Sequence, residues 1–377
     1  MKITRPFITA IFFISQSTFA NIAQVTKLRG NATYLSNGMK EAKTIEINQW
    51  LAKDTSILTN DKTFLVIKYK NGSEVTLGPK SKLVIDNGVN SEQQVVNLLM
   101  GKFKASVKNL QQNNENKMLI KTSGAALGIR GTEFQATYSP ETKITSLLTF
   151  HGAVAMAKID QHSRTDSVEN LKKIEAVLKE DSVIVKTGEY SGTADSKETI
   201  TAPVKISPEQ FTKIQLTQTL GAEEERIPEE TFKKELEKNK EIYSQNITQK
   251  EDIQTKEVQE LRPGGFIDLN SGIYLPPAKD SKFDEKIAVY IPTEKIGTID
   301  QVGNYEPPKG LTLDPIKGFV PEKSNTEPSV EQTAKELNED VSKQVQPKAE
   351  VIPMKKKKTL EQKDEDVYKK YYEPTKI

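Results

Sequence analysis

The densest functional chemistry in the sequence lies in Gly128-Ile129-Arg130-Gly131-Thr132-Glu133-Phe134. Two glycines three apart let the backbone take positive φ or make a close approach, and Thr132, Glu133 and Phe134 then open an extended run to Tyr138. The stretch reads as a tight corner entering a strand. Arg130, inside that corner, carries a fork of donors able to hold carbonyl oxygens or the carboxylate of Glu133. Such a clasp is structural, and with Leu127, Ile129 and Phe134 around it we expect it to be buried. Active sites also favour strained corners, so a ligand-binding role for Arg130 stays open beside the structural one.

Other chemistry is sparse. The chain has two histidines, His151 and His162, and no cysteine, so no metal site with recognisable ligand spacing can be written and no disulfide framework exists. His151, before Gly152, reads as a hairpin residue. No phosphate-binding loop, dinucleotide fingerprint or nucleophile elbow is present. Paired carboxylates for glycoside hydrolysis are set in three dimensions and leave no sequence signature, but a single tryptophan, Trp50, is poor equipment for stacking a sugar. We expect no cofactor, no metal and no catalysis.

Around the corner the text is that of a β domain. Val25–Tyr34 reads as a strand pair split by Gly30, and Thr63–Tyr69 meets Val75–Leu77 across Asn71-Gly72, a strong hairpin signal. Short strands follow at 83–85, 95–100, 103–107, 118–120, 134–138, 144–150 and 153–157. Many short strands with short turns predict a sandwich, barrel or roll. The period then changes over Asp166–Lys179, where Val168, Leu171, Ile174, Val177 and Leu178 share one face behind a cap at Asp166, so one amphipathic helix is predicted. A last strand at 182–186 precedes Gly188. Ser207-Pro208-Glu209-Gln210 then reads as a helix start with a capping serine, and Phe211, Ile214 and Leu216 would dock that helix on the domain.

The motif resembles the hallmark of the FecR domain, a periplasmic module. The resemblance is carried by Ala126–Phe134 together with Asp54–Thr59, Asn71–Pro79, Leu99–Lys104, Ile120–Thr122 and Phe150–Val154, and covers roughly residues 24 to 205. It implies an all-β, sandwich- or roll-like fold with one or two accessory helices. It also implies a module that binds protein partners in the periplasm and relays a signal inward. The chain departs from the regulator pattern, because neither a cytoplasmic sigma-factor-binding segment nor a transmembrane helix is legible. A free-standing partner-binding or scaffolding role is therefore expected first. A regulator acting through a separate membrane protein comes second, and an enzyme acting on cell-wall glycan third.

Composition frames the rest. At 377 residues, with 28% charged and 35% hydrophobic residues, much of the chain lies outside a core. Residues 1–20 place Lys2 and Arg5 before the apolar Phe7–Ile14 and end on Ala20, the pattern of a cleaved secretory signal. The apolar run is far short of the roughly 20 residues that span a bilayer. Removing Lys2 and Arg5 lowers the basic count from 54 to 52, equal to the 52 acids, which argues against nucleic acid as a partner. An exported protein of the periplasm or cell envelope follows, with an envelope protein or cell-wall component as partner.

The domain is expected to span 21–220, followed by a charged helical spacer at 221–262 in which Phe232, Leu236 and Tyr243 form only a thin apolar stripe. After it comes a repeat at 263–321. In each copy an apolar residue and Asp begin a turn, and an aromatic closes it ahead of Pro: Asp268 to Tyr274, Asp284 to Tyr290, Asp300 to Tyr305 and Asp314 to Phe319. A degenerate fifth copy runs from Asp366 to Pro374. One acid per copy falls short of the roughly six to eight oxygens a Ca²⁺ site takes. The four aromatics could be contact points for a partner surface, or the repeats could be a linker with weak local structure. Residues 322–377 read as a disordered tail, in which Lys355–Lys358 could touch an anionic surface.

Overall fold

The computed structural model describes residues 21–87, 93–108, 117–160, 167–217, 226–245, 248–277, 281–292, 297–307, 309–314 and 318–321. All of these belong to one compact unit, Met1–Glu322, and a second unit comprises Lys323–Ile377. The signal segment, Asp166, the tail with its four lysines and the fifth repeat copy lie outside the described residues.

In chain order the strands are β1 (Asn21–Arg29), β2 (Ala32–Leu35), β3 (Lys43–Thr44), β4 (Trp50–Ala52), β5 (Thr55–Thr59), β6 (Phe64–Tyr69), β7 (Glu74–Leu77) and β8 (Lys82–Asn87). Then come β9 (Gln94–Ser106), β10 (Met118–Lys121), β11 (Ala125–Ile129), β12 (Glu133–Ser139), β13 (Ile144–His151) and β14 (Ala153–Lys158). After helix α1 (Val168–Glu180) follow β15 (Val183–Lys186), β16 (Glu189–Ala194), β17 (Ile200–Thr201) and β18 (Val204–Lys205). They form two facing sheets. One runs β4-β1-β6-β7-β9-β12-β13-β16-β18, wholly antiparallel. The other runs β3-β2-β5-β8-β9-β10-β11-β14-β15, with β9 and β10 parallel. Strand β9 belongs to both. The sequence reads it as two strands, but the chain bends at Gly101, where φ is 89°, and stays paired on both sides, so its first half pairs β8 and its second half β7 and β12.

Alternation places the core. On β12, Phe134, Ala136 and Tyr138 point between the sheets, and on β13 Leu147 points inward while Leu148 and Phe150 point outward. Phe103 and Phe134 meet edge to face between the sheets, with centroids 5.9 Å apart at 82°. The outer face of the second sheet is covered by α1, whose Leu171, Ile174 and Leu178 pack on Val95, Leu119, Ala126 and Ala157. The α1 cap is Ser167, one residue after the acid the sequence suggests, and its side chain accepts from Asn170 N.

The outer face of the first sheet is covered by helices α2 (Pro208–Leu216) and α3 (Glu229–Gln245) and by tiny hairpins. After β19 (Val258–Gln259), which pairs β17, the hairpins are β20/β21 (Phe266–Ile267 with Tyr274–Leu275), β22/β23 (Lys282–Asp284 with Val289–Ile291), β24/β25 (Thr298–Ile299 with Tyr305–Glu306) and β26/β27 (Leu311–Asp314 with Gly318–Pro321). This corrects the domain boundary expected at 220. A core of Leu148, Phe150, Tyr190, Ile206 and Phe211 from before that point is completed by Tyr243, Ile267, Leu269, Tyr274, Ile287 and Val289 from after it. It also corrects the solvated spacer. Tyr243 of α3 is fully buried, tilted against Phe211 at 5.6 Å, and its hydroxyl donates to Gly188 O. Most charged residues of α3 face solvent, while Tyr243 and the buried Asn239, whose Nδ2 donates to Thr212 Oγ1 and Gln215 Oε1, hold the helix down.

Candidate functional site: the motif corner and the hairpin groove

The motif is a crossing point between the two sheets. Gly128 lies within β11, opposite Leu119 and Ala155 in the second sheet, and Glu133 opens β12 in the first. The turn between them falls at Gly131, with φ 89°. The chain makes the return crossing beside it, from His151 at the end of β13 through Gly152 (φ 83°) into β14. The corners touch, since a Cβ on Gly152 would lie 2.8 Å from Thr132 Cγ2. Thr132 is buried and Phe134 completely so.

Arg130 is exposed, which corrects the buried clasp. Corner carbonyls are met by backbone amides instead: Val107 N donates to Thr132 O at 2.9 Å and Lys117 N to Ile129 O at 2.8 Å. The partner of Glu133 is Lys104, at 3.2 Å. Lys104 also donates to Gln215 O at the end of α2 and lies 4.6 Å over the Phe150 ring. That lysine ties the motif to the covering layer.

The repeat aromatics are not equivalent. In the first three copies the Asp caps its own turn: Asp268 Oδ1 accepts from Asn270 N, Asp284 Oδ1 from Lys286 N, and Asp300 Oδ1 from Val302 N and Asn304 N. Tyr274, expected to be exposed, is buried, stacked on Tyr190 at 5.3 Å with its hydroxyl donating to Arg262 O. Tyr290 and Tyr305 are half-buried. The Arg262 guanidinium lies 3.7 Å over Tyr290, and Tyr305 stacks on Phe266 at 4.9 Å. With Lys213, Leu236 and Ile291 they line a groove of about 470 Å³. For Phe319 the description extends to its strand and register alone, opposite Leu313. Phe266 and Lys213 were not singled out from sequence, because neither stands at the repeating aromatic position.

Residues 55–155 match the family model described as FecR protein. No curated protein matches the chain. Two crystal structures of a candidate anti-sigma factor from Parabacteroides distasonis ATCC 8503 are similar to part of it, each with 13% identity and a TM-score of 0.29. They cover 38% of this chain, and the chain spans 57% of theirs. The FecR match runs from β5 to β14, so β1–β4, the strands from β15 onward and the whole covering layer extend the domain.

Polar joints hold that layer together and fasten it to the β16–β18 end of the first sheet. Gln210, expected only to help start α2, is fully buried and clamps two hairpins: its Nε2 donates to Ile267 O and Gly303 O, and its Oε1 accepts from Ile267 N. The Ser207 side chain makes no capping bond. Lys205, buried on β18, donates from Nζ to Tyr243 O and Ile287 O. Opposite it in register, Glu189 is wholly buried, accepting from Thr248 Oγ1 and Lys186 N. Burial raises the Glu189 carboxyl above the ordinary carboxylate range against the pull of these hydrogen bonds, and burial lowers the Lys205 ammonium.

A group with a raised carboxyl pKa binds its proton more tightly folded than unfolded. Its contribution therefore favours folding at low pH and is lost as pH rises from the ordinary carboxylate range through the raised value. Glu189→Gln is expected to gain stability relative to the parent as pH is raised across that window. Urea titrations of both proteins at several pH values check this, and a parent-to-variant difference that is flat with pH would refute it.

Among the described residues no helix is long and apolar enough to cross a membrane, and no group of three or more His, Asp or Glu is placed to hold a metal ion.

Proposed function

We propose that the protein is an exported, non-catalytic component of the cell envelope that binds a protein partner through its hairpin groove, with the FecR domain as the rigid base. The observation that carries this reading is the set of half-buried aromatics, Phe266, Tyr290 and Tyr305, lining one groove on a face bolted to the FecR domain. Aromatic side chains held rigid by stacking make strong interface anchors because little conformational freedom is lost when they are covered. The FecR match also supports a regulatory version, in which the partner is a membrane protein that carries a signal onward.

A photoreactive phenylalanine analogue at Ile291, which is 45% exposed and lines the groove, tests the proposal in intact cells. A protein adduct is expected there and not from Lys172, on the exposed side of α1. Tyr290→Ser with Tyr305→Ser should remove the adduct without moving the melting temperature by more than a few degrees. Equal labelling from both positions, or none from Ile291, would overturn it, and the identity of the adduct separates a scaffold from a signalling relay.

A further inference from the structure

The covering layer leaves the β4 edge of the first sheet bare. There Trp50, Gln24, Lys68 and Glu74 follow one another in cross-strand register over β4, β1, β6 and β7, so their side chains share the outer face. Trp50, the single tryptophan of the chain, is 43% exposed, and Ile47, at the tip of the turn before it, is 56% exposed. Three residues reach at most about 10 Å, so the two side chains stand at one corner. The turn that carries them is fixed. Val25 N donates to Gln49 O, Asn48 N to Val25 O and Gln49 N to Glu46 O, while Ile45 is buried in the core.

Lys70 lies 5.9 Å over the Trp50 ring, and among the described residues neither Lys68 nor Lys70 is in an ion pair. Glu74 and Glu46 are the acids nearest in register and sequence. The corner belongs to a basic segment: residues 21–87 hold ten Lys and Arg against six Asp and Glu, a net +4, whereas the chain without Lys2 and Arg5 is neutral.

We infer that this corner is a peripheral contact with an anionic phospholipid surface, in which Trp50 and Ile47 sink to headgroup depth while Lys68 and Lys70 meet lipid phosphates. A tryptophan and a branched aliphatic held on a rigid tip beside lysines have the amphipathic arrangement of an interfacial anchor. Two apolar side chains, each about half exposed, offer far less area than the roughly 800 Å² per partner that a stable protein interface buries, which disfavours a folded protein or a second copy as occupant. The charge excess of the segment selects an anionic surface, with binding that weakens as salt is raised.

Because Trp50 is the single tryptophan, its fluorescence reports this corner alone. The experiment uses the full chain with Lys355–Lys358 changed to Gln, so that tail lysines cannot carry the binding, mixed with phosphatidylcholine vesicles with and without phosphatidylglycerol. Trp50 emission is expected to move to shorter wavelength with the anionic vesicles only, and to return on adding salt. Lys68→Gln with Lys70→Gln should weaken partitioning by at least about tenfold. Ile47→Ser should weaken it with no change in emission in the absence of lipid. Unmoved emission at lipid excess, an equal shift with neutral vesicles, or a shift that survives the double lysine variant would each overturn the inference. These outcomes leave the groove proposal untouched, since the groove lies in the layer over β13 and β16, at the far end of the strand order from β4.

Discussion

Tyr243→Ala is expected to lower the unfolding free energy by about 3–5 kcal/mol, the range for truncating a large aromatic in a core. The side chain is fully buried among Phe211, Gly188 and Lys205, and its hydroxyl satisfies Gly188 O. A Cβ on Gly188 would lie 2.3 Å from Tyr243 Cε1, so strand turn and ring are fitted to each other with no slack. Loss of the ring leaves a cavity over Phe150 and Phe211, and leaves the Lys205 ammonium without the aromatic face now 5.6 Å away. If α3 were a solvated spacer, the substitution would shift the transition by less than about 0.5 kcal/mol, as surface changes do. A urea melt of the full chain followed by circular dichroism separates the two outcomes. Tyr243→Phe should recover most of the loss, since only the bond to Gly188 O is missing.

The same tyrosine shows why the covering layer was poorly legible in sequence. Period-2 alternation and Asn-Gly turns are local signals, so the β strands, the hairpin at Asn71-Gly72 and the amphipathic α1 could be read directly. The repeat is equally local, because Asp268, Asp284 and Asp300 each close their own turn. What those segments pack against is set by contacts far apart in sequence. In α3 the charged residues dominate the composition, and a tyrosine and an asparagine four residues apart are too weak a periodic signal to reveal that the helix is pinned. Gln210 stood where a helix-start residue was expected, and nothing local distinguishes that role from a buried clamp on hairpins 57 and 93 residues away. Strand β9 was divided at Gly101 because a glycine beside a lysine normally signals a turn. Here it is the bend that lets one strand serve two sheets. At the motif, sequence placed the corner correctly and its polar partner wrongly: Lys104, two strands away in the chain, is invisible to spacing along Gly128–Phe134.

Gly152→Ala is expected to cost about 2–5 kcal/mol, and the reasons lie in the crossing rather than in any charge. At φ 83° an L side chain pays about 1–2 kcal/mol for the left-handed conformation. The added Cβ also meets Thr132 Cγ2 at 2.8 Å, and overlap in a packed site adds about 1–3 kcal/mol. Thr132 cannot swing aside easily, because it is buried and its branched side chain has few rotamers. Thr132→Ser removes the obstructing methyl, so in the Gly152→Ala background it should recover the overlap component and leave the conformational one. A double-mutant cycle would show this as a coupling of at least about 0.5 kcal/mol. Arg130→Ala supplies the contrast. As an exposed residue it should move stability by less than about 1 kcal/mol, where a buried clasp would cost roughly 2–4 kcal/mol. If thermal melts rank Arg130→Ala as the more damaging change, the corner is held by the guanidinium after all. If Gly152→Ala is the more damaging and loses its coupling with Thr132→Ser, the glycine acts through φ alone and the two crossings are not in contact.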